Sequence, residues 1–176
     1  MKSFAFILIF CTIAFLSCQH TTAQVYTTPS VLAKYNNTDT EDMIGKYKAR
    51  KSVDIRPSTE LSDRFNRDFP GARDIEWETA ANIYNVEFEI NNVDYEAYYD
   101  SDFKLFMYAV DIRKGELPAI VINSYIAKYP DYNLDDSPKA IYCGGGTYYK
   151  IELEKARAEV KVLIDDKGSI VKEFNH

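Results

Sequence analysis

Residues 84–100 read YNVEFEINNVDYEAYYD, and this stretch decides the fold. Tyr84, Val86, Phe88 and Ile90 alternate with Asn85, Glu87 and Glu89, the period of a strand with one buried and one wet face. Asn91-Asn92 then breaks the run, and asparagine tolerates the positive φ that a tight hairpin turn requires. The next residues resume as a returning strand. Sixty-five positions further on, residues 149–165 read YKIELEKARAEVKVLID. Tyr84, Val86 and Phe88 recur as Tyr149, Ile151 and Leu153, while Ile90 becomes Lys155. Glu87 and Glu89 fall on Glu152 and Glu154, and Asp100 falls on Asp165. A period-2 pattern reproduced in phase points to one supersecondary unit used twice.

The flanks of the two hairpins match as well. Before the first, Ser58 can cap a helix whose Leu61, Phe65 and Phe69 recur at i, i+4, i+8 against polar Asp63, Arg64, Asn66 and Arg67. Pro70-Gly71 ends it. Strands are expected near 74–79, 84–91, 93–100 and 105–112. Before the second, Leu117-Pro118 opens a helix striped by Leu117, Val121, Tyr125 and Tyr129, and Pro130 stops it. Strands are expected near 140–143, 147–154, 158–165 and 169–174, with a turn at Asp165-Asp166-Lys167-Gly168. The expected fold class is α+β: a tandem repeat of a helix packed on a four-stranded antiparallel sheet, the two units forming one extended curved sheet. The domains divide as a signal peptide over 1–23, a flexible leader over 24–56, one repeat over 57–113 and the other over 114–176.

Alternation assigns the faces. Ile75, Trp77, Tyr84, Val86, Phe88, Tyr95, Ala97 and Tyr99 should meet the first helix, leaving Glu76, Glu78, Asn85, Glu87, Glu89, Glu96 and Tyr98 on the other side. In the second unit the outer face should hold Tyr148, Lys150, Glu152, Glu154, Glu159 and Lys161. Antiparallel sheets commonly leave one face in water.

The N-terminus is read separately. Lys2 precedes an apolar run from Phe4 to Leu16, too short for a stable membrane span, which makes it an export signal. Two processing routes fit. Thr21-Thr22-Ala23 places small residues before a cleavage between Ala23 and Gln24. Leu16-Ser17-Cys18 is a loose lipobox, by which an acylated Cys18 would tether the chain to a membrane. Cys143 is the one cysteine beyond this region, so no internal disulfide is available. Fourteen tyrosines and ten phenylalanines can supply the core instead. The net charge of −6 lacks any basic stripe for phosphates and argues against nucleic acid as a partner.

Candidate chemistry is thin. His20 and His176 flank the expected folded body, so triads, Cys-His pairs and His/Cys zinc sites have no imidazole to use. Glu87 and Glu89 share a strand face about 7 Å apart, which admits acid/base chemistry but fits a solvated sheet face better. Asp100-Ser101-Asp102 and Asp165-Asp166 carry calcium-type oxygens without the spacing of a calcium loop, and they fit turns. Gly144-Gly145-Gly146 leads into a strand, unlike a phosphate loop, so it reads as a flexible connection beside a small buried Cys143. No cofactor and no metal are expected, and the chain is read as not an enzyme.

Several ordered motifs carry a family likeness: Phe69-Pro70-Gly71-Ala72, Ile75-Glu76-Trp77, Tyr84-x-Val86-Glu87-Phe88, Tyr99-Asp100, then Leu117-Pro118 and Tyr129-Pro130. Over residues 57–174 the chain resembles the exported PepSY-like proteins of Bacteroidetes, also described as beta-lactamase-inhibitor-like. The sequence departs from them at Asp102-Phe103-Lys104, where such proteins often have Asp-Gly; the second unit keeps that turn as Lys167-Gly168. The resemblance implies tandem helix-plus-sheet modules exported to the periplasm or beyond. It also implies binding or inhibition of a protein such as a hydrolase or protease. The binding surface expected from the sequence is the open sheet face, with Glu87, Glu89, Glu96, Tyr98, Tyr108, Tyr148, Lys150 and Lys161 as its candidate residues and a protein or peptide as its partner. The alternative is an envelope-tethered structural lipoprotein held by Cys18.

Overall fold

The hairpin at Asn91-Asn92 forms with both asparagines at positive φ, 54° and 61°, and pairs Ile90 with Val93. The computed structural model describes residues 29, 32, 33, 35, 37–135 and 137–175. The expected signal over 1–23, with Cys18, and the Ala23–Gln24 junction lie outside the described residues. In chain order the elements are α1 (Asn37–Lys48), β1 (Val53–Asp54), α2 (Thr59–Asp68), β2 (Arg73–Ala80), β3 (Ile83–Ile90), β4 (Val93–Tyr99) and β5 (Leu105–Asp111). After a short 3-10 turn come α3 (Ala119–Lys128), β6 (Asn133–Leu134), β7 (Lys139–Cys143), β8 (Gly146–Lys155), β9 (Ala158–Asp165) and β10 (Ile170–Asn175). The ten strands form one open antiparallel sheet in the order β1-β2-β3-β4-β5-β7-β8-β9-β10, with β6 paired to the far part of β8.

Helices α2 and α3 cover one face of this sheet. Ser58 caps α2 by accepting the Leu61 amide on its Oγ at 3.2 Å. Leu61, Phe65 and Phe69 are fully buried, and their rings lock onto the sheet: Phe65 meets Phe88 edge-on at 4.9 Å and Phe69 lies 4.7 Å from it. Each such ring contributes on the order of 2–3 kcal/mol of burial. In α3, Val121 and Tyr125 belong to the same continuous core as Ile151, Leu153, Val162 and Ile164 below them. The halves join where β5 pairs with β7 and Tyr108 stacks on Tyr142 at 4.7 Å.

The turns after Asp100 and Asp165 share one hydrogen-bond pattern. Asp100 Oδ1 accepts the amides of Asp102 (2.8 Å) and Lys104 (2.9 Å); Asp165 Oδ1 accepts those of Lys167 (3.0 Å) and Ser169 (2.7 Å). Both aspartates are therefore engaged in turn geometry. Phe103 takes φ 58° where Gly168 takes 84°. A bulky residue there is strained, and its contact with the Tyr84 ring at 5.4 Å offsets part of that cost.

Four expectations are corrected. The leader over 24–56 was expected to be flexible, yet its residues 37–48 form α1, which packs on the sheet face opposite α2 and α3. Tyr47 of α1 is buried with Ala80, Ile83, Tyr98 and Phe106 in a second, smaller core. Ile75, expected inside, is 40% exposed, because a bulge with Asp74 at φ 50° interrupts the β2–β3 register before Glu76. Tyr108, expected outside, pairs with Ala97 and is buried on the helix-covered face; the irregular register between Tyr98 and Tyr99 leaves Phe106 and Met107 on the outer side. Cys143 is half-buried and lines the outer face.

Candidate binding face

The outer face of the sheet divides by charge, and the strand register shows how. One cross-strand row runs Glu76, Glu87, Glu96, Ala109, Ile141, Tyr148 from β2 to β8. Another begins at Asp111 and continues Lys139, Lys150, Leu163, Lys172 from β5 to β10. Carboxylates thus gather over β2–β4 and lysines over β7–β10, with apolar side chains between them.

The acidic half forms a shallow depression of about 290 Å3 lined by Glu76, Glu87, Glu89, Asp94, Glu96 and Lys139. Loss of surrounding water, then the Glu96 charge, raises the Glu87 carboxyl above its ordinary value. Burial pulls the Lys139 ammonium down, but its contact with Asp111 at 2.9 Å, with Glu96 and Glu87 behind, holds it above the ordinary lysine value. Among the described residues no group of His, Cys, Asp or Glu is placed to hold a metal ion.

The lysine half is a groove of about 420 Å3. Thr40, Ile44, Gly45 and Lys48 of α1 form one wall. Met107, Ile141, Tyr148, Leu163 and Phe174 make an apolar floor, and Lys150, Lys161 and Lys172 stand along it. Lys161 contacts Glu152 and Glu159, each at 3.1 Å, and Lys150 reaches Glu152 at 3.7 Å. The Lys172 ammonium lies 5.2 Å from the Phe174 ring.

The structure therefore splits the eight residues proposed from sequence. Glu87, Glu89 and Glu96 meet in the depression, and Tyr148, Lys150 and Lys161 meet in the groove. Tyr98 points outward but lies beneath α1, 2% exposed, its ring edge-on to Tyr47 at 5.5 Å and its hydroxyl donating to Glu96. Tyr108 is in the core. Sequence reasoning missed Met107, Ile141, Leu163, Lys172, Phe174 and the α1 wall. The alternation of Ile141 with Cys143 and of Lys161 with Leu163 on one strand face is the signal that finds the floor.

A helix-covered open antiparallel sheet defines the class of this protein as α+β. No family model matches the sequence, and no curated protein does. Solved structures share the fold. A DUF2874 family protein from Bacteroides uniformis superposes with a TM-score of 0.62 at 18% identity, covering 68% of this chain and 90% of its own. A BLIP-like protein from Bacteroides fragilis gives 0.60 at 18% identity, covering 69% and 87%. A candidate periplasmic protein from Bacteroides eggerthii gives 0.63 at 19% identity, covering 69% and 90%.

Proposed function

We propose that this chain is an exported, non-enzymatic binding module that engages a protein partner through the outer face of its sheet. The observation that carries the reading is the apolar groove left open between α1 and β10. Large apolar side chains line a contiguous concave surface there, a feature that marks interaction sites on soluble domains. The absence of histidine between His20 and His176 supports the non-enzymatic part. The fold-level likeness to a BLIP-like protein and a candidate periplasmic protein supports a protein partner and export. Inhibition of a hydrolase or protease is the narrower form of this reading, and it rests on likeness alone.

The same reading takes residues 57–113 and 114–176 as two copies of one unit. The paired turns at Asp100 and Asp165 support it. So do the matching helix ends, where the Phe69 amide donates to the Phe65 carbonyl at 2.8 Å and the Tyr129 amide to the Tyr125 carbonyl at 2.7 Å.

A photo-crosslinking residue tests the binding reading. Placed at Leu163 in the groove, it should yield a discrete protein adduct in the producing cells. Placed at exposed Ile126 on α3, it should not. The identified partner, purified, should bind the wild-type chain and not Leu163→Glu. No adduct at Leu163 removes the proposal. Mass spectrometry of the exported chain should find Gln24 at its N-terminus, whereas acylated Cys18 would identify the tethered lipoprotein.

A further inference from the structure

The net charge of the chain is −6, yet four lysines and no carboxylate line the groove: Lys48, Lys150, Lys161 and Lys172. Lys150 and Lys161 are compensated by Glu152 and Glu159. Lys48 and Lys172 make no ion pair with any described residue, and they stand on opposite sides of the apolar floor, one on the α1 wall and one on the edge strand β10. Local charge is thus opposite in sign to the whole molecule and concentrated around apolar side chains.

We propose that this groove docks an acidic segment of a partner protein, one that seats a large apolar side chain on Ile141, Leu163 and Phe174 and sets flanking carboxylates on Lys48 and Lys172. The inference rests on the binding reading above and adds the chemistry of what binds. Complementary charge sets orientation and association rate, while the apolar anchor supplies the larger share of affinity.

The test uses the purified chain and three fluorescein-labelled decapeptides. The first carries a central Phe-Leu flanked by glutamates, the second the same pair flanked by lysines, and the third has Ser-Ser between glutamates. The first should bind, and the second and third should not. The double variant Lys48→Glu/Lys172→Glu should weaken the first peptide by about tenfold and gain the second, since reversing two charges inverts the complementarity. Raising salt to about 0.5 M should weaken binding of the first, because screening shortens the reach of exposed charges. Gly45→Phe, at a helix position with nothing within 4 Å of an added Cβ, should fill the groove wall and weaken binding without unfolding the chain. Equal binding of all three peptides overturns the inference, and so does tight binding of oleate with none of the peptides. If the Leu163 adduct forms but its yield is unchanged in the double variant, the partner-binding reading stands and the acidic-segment inference falls. If neither adduct nor peptide binding is seen, both fall.

Discussion

Asp68 is a carboxylate 6% exposed at the end of a helix, and two neighbours make that tolerable. Arg64 Nε donates to its Oδ2 at 2.9 Å and the Tyr99 hydroxyl donates to the same oxygen at 3.1 Å. Burial, then the Asp68 charge, pushes the Tyr99 phenol up, so it stays a donor throughout the working range. Tyr99→Phe removes one donor to a charged acceptor and should cost about 1.5 kcal/mol in urea unfolding. Asp68→Ala strands a buried hydroxyl and should cost about 2–3 kcal/mol. Tyr47 gives a pH prediction. Burial, then its hydrogen bond to Glu78 at 2.9 Å, raises its phenol from 10.0 to about 12. The fold favours the neutral phenol. Its contribution is therefore complete below pH 10 and is lost as pH rises through about 12. Unfolding free energy measured between those limits should fall more steeply for wild type than for Tyr47→Phe; identical slopes would show that Tyr47 is not coupled to folding.

At the level of elements, the hairpin strands β3, β4, β8 and β9 were legible because each runs for seven or more residues, long enough for alternation to show. Helix α1 was not. Its stripe of Thr40, Met43, Ile44 and Tyr47 has the i, i+3, i+4, i+7 spacing, but Asn37, Thr38 and Asp39 at its start and Lys46 and Lys48 in its last turn give the composition of a leader. Only the sheet face below, with Tyr98 and Phe106 needing cover, supplies the reason to fold. That cover turned one proposed anchor, Tyr98, from surface into interior, whereas Tyr108 is interior by strand phase, on the opposite face. The approach to α1 is pinned at Gly144, whose added Cβ would stand 2.6 Å from the Tyr35 carbonyl oxygen and 2.9 Å from that of Ala33. The same crossing is held by the Ala33 amide on the Leu105 carbonyl at 2.7 Å and the Tyr35 hydroxyl on Asp100 at 2.6 Å. Gly144→Ala should therefore release the crossing while leaving the sheet in place. Trypsin should then cut faster after Lys46 and Lys48, with near-unchanged far-UV circular dichroism. Equal cleavage rates in mutant and wild type would mean the crossing does not hold α1 down.

Across the whole molecule, two meanders could behave as two folding units or as one. The core decides for one. A single cluster runs from Leu61 and Phe65 of α2 to Ile151, Leu153 and Ile164 beneath α3, and the β5–β7 pairing carries the sheet hydrogen bonds across the midline without a gap. Independent units would instead leave a polar seam where Tyr108 and Tyr142 now stack. Trp77 is the sole tryptophan, and it lies in the first half against Phe65 at 5.3 Å, so its fluorescence reports that half alone. Leu153 lies fully buried in the second half. Leu153→Ala should cost about 2–5 kcal/mol through lost burial and the cavity it leaves. If folding is shared, that loss must appear undiminished in the Trp77 transition, and the fluorescence and circular dichroism midpoints must move together. A Trp77 midpoint that stays at its wild-type value while circular dichroism shows an earlier second transition would divide the sheet at β5–β7. The groove on its outer face would then straddle two bodies free to move apart.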